Sequence, residues 1–207
     1  IEGEALDTGT YFHVATLEPH KVHKEIVVFE GKTRYGSAWS AFKEKHADKC
    51  IITAKQKELG DRMVTAVKAS PSSMEYLKGE PEVSLFTEIR VAMGEIYAPY
   101  FSKKMTRDGW VTVKKVPKDG FNLSIKVRAD CLGETFVSDL KSTSGRANKG
   151  ESVRGSISTY KYDLSASLYL DMFSLIREDV TEFIWIFASK ENSIAVPWRA
   201  TKKNILI

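Results

Sequence analysis

Cysteine is scarce in this sequence of 207 residues, which contains only Cys50 and Cys131. Two cysteines cannot complete a four-cysteine zinc site or iron–sulfur cluster within the chain. They also provide no disulfide framework, because they are few and far apart. We therefore expect both to be small core residues in a reducing cytoplasm.

Long apolar runs are also missing. No stretch of about 18 apolar residues occurs, so we expect no membrane span. The first residues lack the charged-then-apolar pattern of a signal peptide, and we find no internal repeat or low-complexity segment. The chain begins at Ile1 and not at Met, and we expect it to be part of a longer protein. With 43% hydrophobic and 28% charged residues, its composition is typical of a soluble globular protein.

Charge is only slightly unbalanced, with a formal net charge of +4. A mildly basic chain permits DNA binding, but only clustering of the basic residues on one face would be evidence for it. The charge therefore leaves the choice of partner open.

The segment from Lys126 to Lys141 contains the most informative pattern, two short strands joined by a turn near Gly133. Because side chains alternate along a strand, Asp139 and Lys141 share a face, while Leu140 points into the opposite layer. Carboxylates can hold a divalent cation, and a neighbouring lysine can position water or neutralise phosphoryl charge. This pattern predicts a metal-dependent phosphodiesterase.

The hairpin places a geometric demand on its two acids. If the turn is tight at Gly133, Asp130 pairs near Phe136, three residues or roughly 10 Å along the strand from Asp139. Two ligands of one magnesium ion must lie closer together. We therefore expect a wider connection, a bulge or diverging strands.

The same residues resemble the active-site hairpin of PD-(D/E)xK nucleases, through 128–130 (Arg-Ala-Asp) and 139–143 (Asp-Leu-Lys-Ser-Thr). They are most similar to the phage and prophage exonuclease VIII (RecE-like) branch. Residues 9–13, which end in His13, and 17–19 resemble that family's first helix. Residues 160–169 resemble the helix after the hairpin, although Ser165 stands where a glutamine is common.

The resemblance implies an α/β fold with a PD-(D/E)xK restriction-endonuclease-like core, in which helices flank a mixed central sheet. It implies a single nuclease domain over 1–207, with an inserted excursion at about 92–120. The implied activity is a Mg²⁺-dependent DNA exonuclease, with Mn²⁺ able to substitute, that degrades one strand of linear duplex from the 5′ end. Double-stranded DNA ends, a single-strand annealing protein and a homo-oligomer would be its partners in phage-type recombination, in the bacterial host cytoplasm.

The implied site contains residues from several parts of the chain. Metal ligands would be Asp130, Asp139, the Leu140 carbonyl and His13, while Lys141 assists the attacking water and Tyr162 orients substrate. A further acid would come from Glu82 or Glu88, which share one face of a predicted strand. His13 also lies on the apolar face of its predicted helix at the spacing of a core histidine, and both interpretations stay open.

Other functions remain possible at this point. One is another PD-(D/E)xK nuclease, such as an endonuclease or a repair nuclease, although two cysteines exclude the iron–sulfur cluster of CRISPR-associated adaptation nucleases. A second is a catalytically silent DNA-binding scaffold for recombination. The complete set of Asp130, Asp139 and Lys141 argues against a silent protein.

The pattern after the hairpin predicts a loop over 142–151 and one long helix over 156–176. Leu164, Leu168 and Leu175 should form the core stripe of this helix. Buried strands are predicted at 183–188 and 194–198, where apolar residues dominate.

Overall fold

The computed structural model describes residues 3–31 and 33–200. Its contacts divide the chain into two compact units. Unit 1 comprises residues up to 77 with 140–156 and 186–198, and unit 2 comprises 78–139 and 157–185 with the residues after 198. The divisions fall within three strands and one helix, so each unit is built from separate stretches of sequence.

The helices and strands alternate as expected for an α/β protein. The helices are α1 (Glu4–Leu17), α2 (Val22–Glu25), α3 (Gly36–Lys45), α4 (Ala54–Lys68), α5 (Pro71–Glu75), α6 (Gly150–Tyr160) and α7 (Tyr162–Phe173). The strands are β1 (Ile26–Phe29), β2 (Cys50–Thr53), β3 (Glu80–Ala92), β4 (Glu95–Ala98), β5 (Lys103–Thr106), β6 (Gly109–Thr112), β7 (Phe121–Leu132), β8 (Phe136–Thr143), β9 (Glu182–Ser189) and β10 (Ala195–Arg199).

Unit 1 contains a parallel pair of strands, β1 and β2, and the helices before and after them. Helix α1 packs against α4 and β2. Thr53 is the N-cap of α4 and forms a capping box with Gln56. The Thr53 hydroxyl accepts a hydrogen bond from the Gln56 backbone amide, and the Thr53 backbone amide donates to the Gln56 side-chain oxygen. The apolar stripe of α4, with Met63 and Val67 fully buried, explains why this segment forms a helix against the core.

The larger sheet has eight strands in the order β10-β9-β8-β7-β3-β4-β5-β6. Within this order, each pair of neighbouring strands from β8 through β7, β3, β4 and β5 to β6 is antiparallel. Strand β9 runs parallel to β8, since Thr181 bonds to Thr135 at one end and Lys190 bonds to Thr143 at the other. The sheet is therefore mixed, and the predicted α/β fold class with a mixed central sheet flanked by helices is confirmed.

The region 92–120, predicted as an excursion, forms the strands β4, β5 and β6. These strands extend unit 2's part of the sheet beyond β3 as a series of antiparallel neighbours. The Trp110 indole donates to the Asp171 carbonyl at 2.7 Å, which attaches β6 to α7 within unit 2.

The single long helix predicted over 156–176 is wrong. Lys161 adopts a left-handed conformation with φ of 54°, so the chain forms α6 and α7 with a break between them. The helical segment also begins earlier, at Gly150, inside the predicted loop. The buried face of α7 also differs from the predicted stripe: Leu164 and Leu168 are exposed by 50% and 38%, while Ala166 and Phe173 are fully buried.

The predicted terminal strands are present. All eight residues of β9 except the first are buried, as its apolar composition requires. Strand β10 returns beside it, with the Ser189 amide bonded to the Ile194 carbonyl. Among the described residues, no helix has the length and apolar character needed to cross a membrane.

Candidate metal centre

The hairpin of β7 and β8 sets Asp130 opposite Asp139. The paired positions are Cys131 with Ser138 and Leu132 with Val137. Continued by one residue, this register brings the two acids to the same level, just where the described pairing ends. Both side chains are buried, at 7% and 8% exposure.

The position of the turn explains how Asp130 and Asp139 come to the same level. The Gly133 amide donates to the Phe136 carbonyl at 2.9 Å, so the turn is centred on Glu134 and Thr135 and not on Gly133. Moving the centre of a hairpin by one and a half residues shifts the register by three. The expected wide connection is therefore replaced by a tight turn that lies slightly later in the sequence, and the described pairing of the two strands ends at Cys131 and Ser138, before the acids.

Strand β3 contributes a third acid beside this hairpin. The pairs Pro81–Cys131 and Val83–Ala129 flank the position where Glu82 lies opposite Asp130. Ligand oxygens of Glu82 and Asp130 lie within 4.8 Å of each other. Carboxylates therefore form a row across three neighbouring strands, β3, β7 and β8.

Glu82 has an unusual backbone conformation. Its φ is 55°, in the left-handed region that residues with a side chain rarely adopt. Such strain is found at functional sites, where the surrounding structure holds the residue in place. Here the Arg128 guanidinium contacts Glu82 at 2.9 Å (Nε to Oε2), and the Glu82 side chain is only 18% exposed.

Gly79 supports this placement just before β3. A Cβ atom at Gly79 would lie 2.5 Å from the Leu132 carbonyl oxygen and 2.9 Å from the Cys131 sulfur. Only glycine permits this close approach of β3 to the end of β7. The approach helps to set the register that brings Glu82 opposite Asp130.

Glu88, the alternative acid, lies elsewhere. Its partner across the strand pair is Ser124, and it accepts hydrogen bonds from Asn122 at 3.2 Å and Tyr100 at 3.4 Å. Six residues along β3 separate it from Glu82, or roughly 20 Å. Of these two glutamates, only Glu82 lies near Asp130.

Asp139, Leu140 and Lys141 follow one another on β8. Leu140 is fully buried, consistent with a side chain directed into the core layer. Strand alternation places the half-buried Lys141 on the same face as Asp139. Asp139 does not belong to the group of ligand atoms that lie within 4.8 Å of one another among the described residues, and the β7–β8 register places it opposite Asp130.

Tyr162 and His13 belong to helices. Tyr162 is the first residue of α7, and its ring stacks on Tyr160 at 5.4 Å between centroids. His13 lies on α1 of unit 1, where it is half-buried and its ring meets the edge of Phe12 at 5.9 Å.

The two cysteines have the properties expected of inert thiols. Burial raises the pKa of Cys50 and that of Cys131 to about 11, and the nearby Asp7 and Asp130 carboxylates contribute. Both thiols are therefore protonated at neutral pH, which disfavours nucleophilic attack or metal binding by sulfur. Cys131 is fully buried, as expected, while Cys50 is half-buried.

The acids fit a hard divalent cation. Magnesium and manganese prefer carboxylate oxygens, and a cation relieves the repulsion between two anions within 4.8 Å. The Arg128 guanidinium already offsets part of the negative charge of Glu82. By comparison, the two surface clefts of unit 1, lined in part by Arg62 and by Arg34, contain none of the predicted site residues.

The sequence pattern did not identify Arg128 as a site residue. Its spacing could have indicated a role, because Arg128 lies two residues before Asp130 on a strand and so shares its face. Its contact with Glu82 depends on the pairing of β3 with β7, which the sequence does not reveal.

Comparisons with known proteins support the fold. No family model matches the chain, and no curated protein matches it. A solved structure of a provisionally named exonuclease from Eubacterium rectale is similar, with a TM-score of 0.55 and 12% identity over 99% of this chain. The match covers 62% of that longer protein. A second structure, SSO0001, matches 96% of this chain and 79% of its own at 16% identity, but its TM-score of 0.34 carries no argument.

Proposed function

We propose that this protein is a metal-dependent deoxyribonuclease that degrades one strand of linear duplex DNA from the 5′ end. The row of Glu82, Asp130 and Asp139 across three strands, with Lys141 on the face of Asp139, carries the proposal. The exonuclease name of the Eubacterium rectale protein, which shares the fold, agrees with it.

In this mechanism, Glu82, Asp130 and Asp139 would hold Mg²⁺ or Mn²⁺, and the resemblance implies the Leu140 carbonyl and His13 as further ligands. The bound cation would polarise the scissile phosphate and make water a better nucleophile. Arg128 orients Glu82 and limits its repulsion with Asp130. Lys141 stabilises negative charge that develops on the phosphoryl oxygens, and Tyr162 orients the strand. The product of this hydrolysis has a 5′-phosphate.

The resemblance to RecE-like enzymes extends the proposal to the biological setting. The enzyme would act on duplex ends as a homo-oligomer and pass its single-stranded product to an annealing protein during phage-type recombination. The host cytoplasm would be the site of action.

The decisive experiment is digestion of linear duplex labelled separately at each 5′ and 3′ end, beside a covalently closed circle. We expect Mg²⁺ or Mn²⁺ to support ordered loss of the 5′ label and no cutting of the circle. Calcium should support binding with little cleavage, because it ligates loosely and at longer distances. Full activity in excess EDTA would contradict the metal mechanism, and cutting of the circle would indicate an endonuclease.

A further inference from the structure

One face of the β3–β7 strand pair carries side chains that continue outward from Glu82 and Asp130. Contacts between the strands show that these side chains share the face. Arg128 contacts Glu82, and the Lys126 ammonium lies 5.1 Å from the centroid of the Phe86 ring. Further along, Asn122 donates to Glu88, and Arg90 donates to Asn122.

Near Asp130 the two faces of the pair differ sharply in burial. On β7, Val127 and Ala129 are 1% and 0% exposed and belong to the core. On the other face, Phe86 is 68% exposed and the Arg128 side chain is 60% exposed. An exposed phenylalanine beside the Lys126 cation stabilises the fold little, whereas an exposed ring can stack on a flat ligand.

We propose that this surface, the β3–β7 track (Ser84, Phe86, Lys126 and Arg128), binds a single strand of DNA beside the metal centre. Arg128 and Lys126 would contact phosphates, and Phe86 would stack on an unpaired base. The inference rests on the proposed nuclease function and adds the path of the strand.

Charge complementarity favours nucleic acid over a protein partner. Arg128 and Lys126 lie two and four residues from Asp130, or roughly 7 and 13 Å, so two cations follow the carboxylates in one direction. Single-strand binding surfaces combine such cations with isolated aromatic rings, because every base offers a face for stacking. A protein interface would instead be expected to have several apolar side chains at its centre.

The test measures binding of a fluorescent oligothymidine strand in Ca²⁺ and in EDTA, so that cleavage plays no part. We expect Phe86→Ala to weaken binding about tenfold, from the typical contribution of one stacked base, and Phe86→Trp to retain it. Lys126→Ala should reduce the slope of log affinity against log salt by about 0.7, the value for one phosphate contact on a single strand. Blunt duplex should show little effect of Phe86→Ala, because its bases are already stacked.

Matched controls are available in the chain. Phe121 is 58% exposed and lies on β7 at an odd-numbered position, on the side opposite to Lys126, so Phe121→Ala should bind normally. Lys45 is an exposed cation on α3, and Lys45→Ala should leave the salt slope unchanged. Thermal melting of each variant would verify folding.

Unchanged affinity of Phe86→Ala, or an equal loss in Phe121→Ala, would overturn the track. If Phe86→Ala changed the oligomeric state in sedimentation but left DNA affinity unchanged, the surface would be a protein interface and the proposal would be overturned. Binding is measured without cleavage, so the two proposals can fail separately. Wild-type protein that binds the strand but does not cleave DNA would contradict the proposed nuclease activity and not the proposed binding surface.

Discussion

Charged side chains are arranged differently in the two units. In unit 1, the Arg34 guanidinium is surrounded by acceptors: it bonds to Asp7 at 2.6 Å and to Gln56 and the Ile51 carbonyl at 2.7 Å. In unit 2, the carboxylates of Glu82 and Asp130 lie within 4.8 Å of each other. The first arrangement lowers the cost of burying a charge, whereas the second raises it.

This difference agrees with a structural role for Arg34 and with the metal-binding role that we propose for Glu82 and Asp130. Opposite charges and acceptors around a buried cation stabilise the fold, so these contacts need no ligand to account for them. Like charges at close range oppose folding and persist where a ligand such as a metal ion uses them. The left-handed backbone of Glu82 likewise agrees with a functional role and not with a stabilising one.

The largest expected effect concerns chemistry in the acidic row. Lys141→Ala should slow the chemical step by about 10²–10³-fold, the scale of one preorganised electrostatic group, and added Mg²⁺ should not restore it. Asp139→Ala should weaken metal binding, so that raised Mg²⁺ recovers part of the rate. Single-turnover rates across a metal titration would measure both, with the exposed Lys149→Ala as control. Wild-type cleavage by Lys141→Ala would contradict the active-site assignment.

The next effect tests the structural side of the comparison. Arg34→Ala should reduce the free energy of unfolding by about 2–3 kcal/mol, because Asp7 and Gln56 lose a mostly buried donor. Lys57→Ala breaks an ion pair with Asp61 whose side chains are 46% and 47% exposed, and should cost about 0.3–0.5 kcal/mol. Urea unfolding would compare them. Equal losses would show that the Arg34 network is no stronger than a surface pair.

His13 would sharpen the comparison, because it is either a core residue or a functional one. If it is a metal ligand, His13→Ala should lower the nuclease rate about tenfold and change the melting temperature little. The exposed His20→Ala provides the matched control. A rate that falls only in proportion to the folded fraction would make His13 a core histidine.

The smallest effect concerns Asp171, a half-buried acid of unit 2 outside the row. Burial raises its pKa from 3.8 to about 6. Between about pH 4 and 6 the folded protein therefore keeps a proton that the unfolded chain has released, and stability falls as pH rises through this window. Asp171→Asn should stabilise the protein by roughly 1 kcal/mol at neutral pH, allowing for partial solvation, and hardly at all below about pH 4. Melting curves at both pH values would check this, and equal shifts would contradict the assignment.

Much of the fold followed from local patterns. Helix α1, the strand at β9 and the hairpin of β7 and β8 were predicted because their apolar periodicity and turn residues act over a few positions. The helix break at Lys161 was not predicted, since its left-handed conformation has no glycine to mark it. Leu164 and Leu168 were also misplaced, because α7 buries the face that carries Ala166 and Phe173, a choice that depends on what the helix packs against.

What the sequence by itself determined is the chemistry along each strand. The spacing of Asp139 and Lys141 places them on one face of a strand, and two cysteines cannot complete a four-cysteine cluster within this chain. Only the tertiary structure decided which acids meet. Glu82 and Glu88 share the parity of one strand, and the register of β3 against β7 brings Glu82 opposite Asp130. Register depends on turn position and on close approach at Gly79, which are long-range steric properties, so no local pattern encodes it.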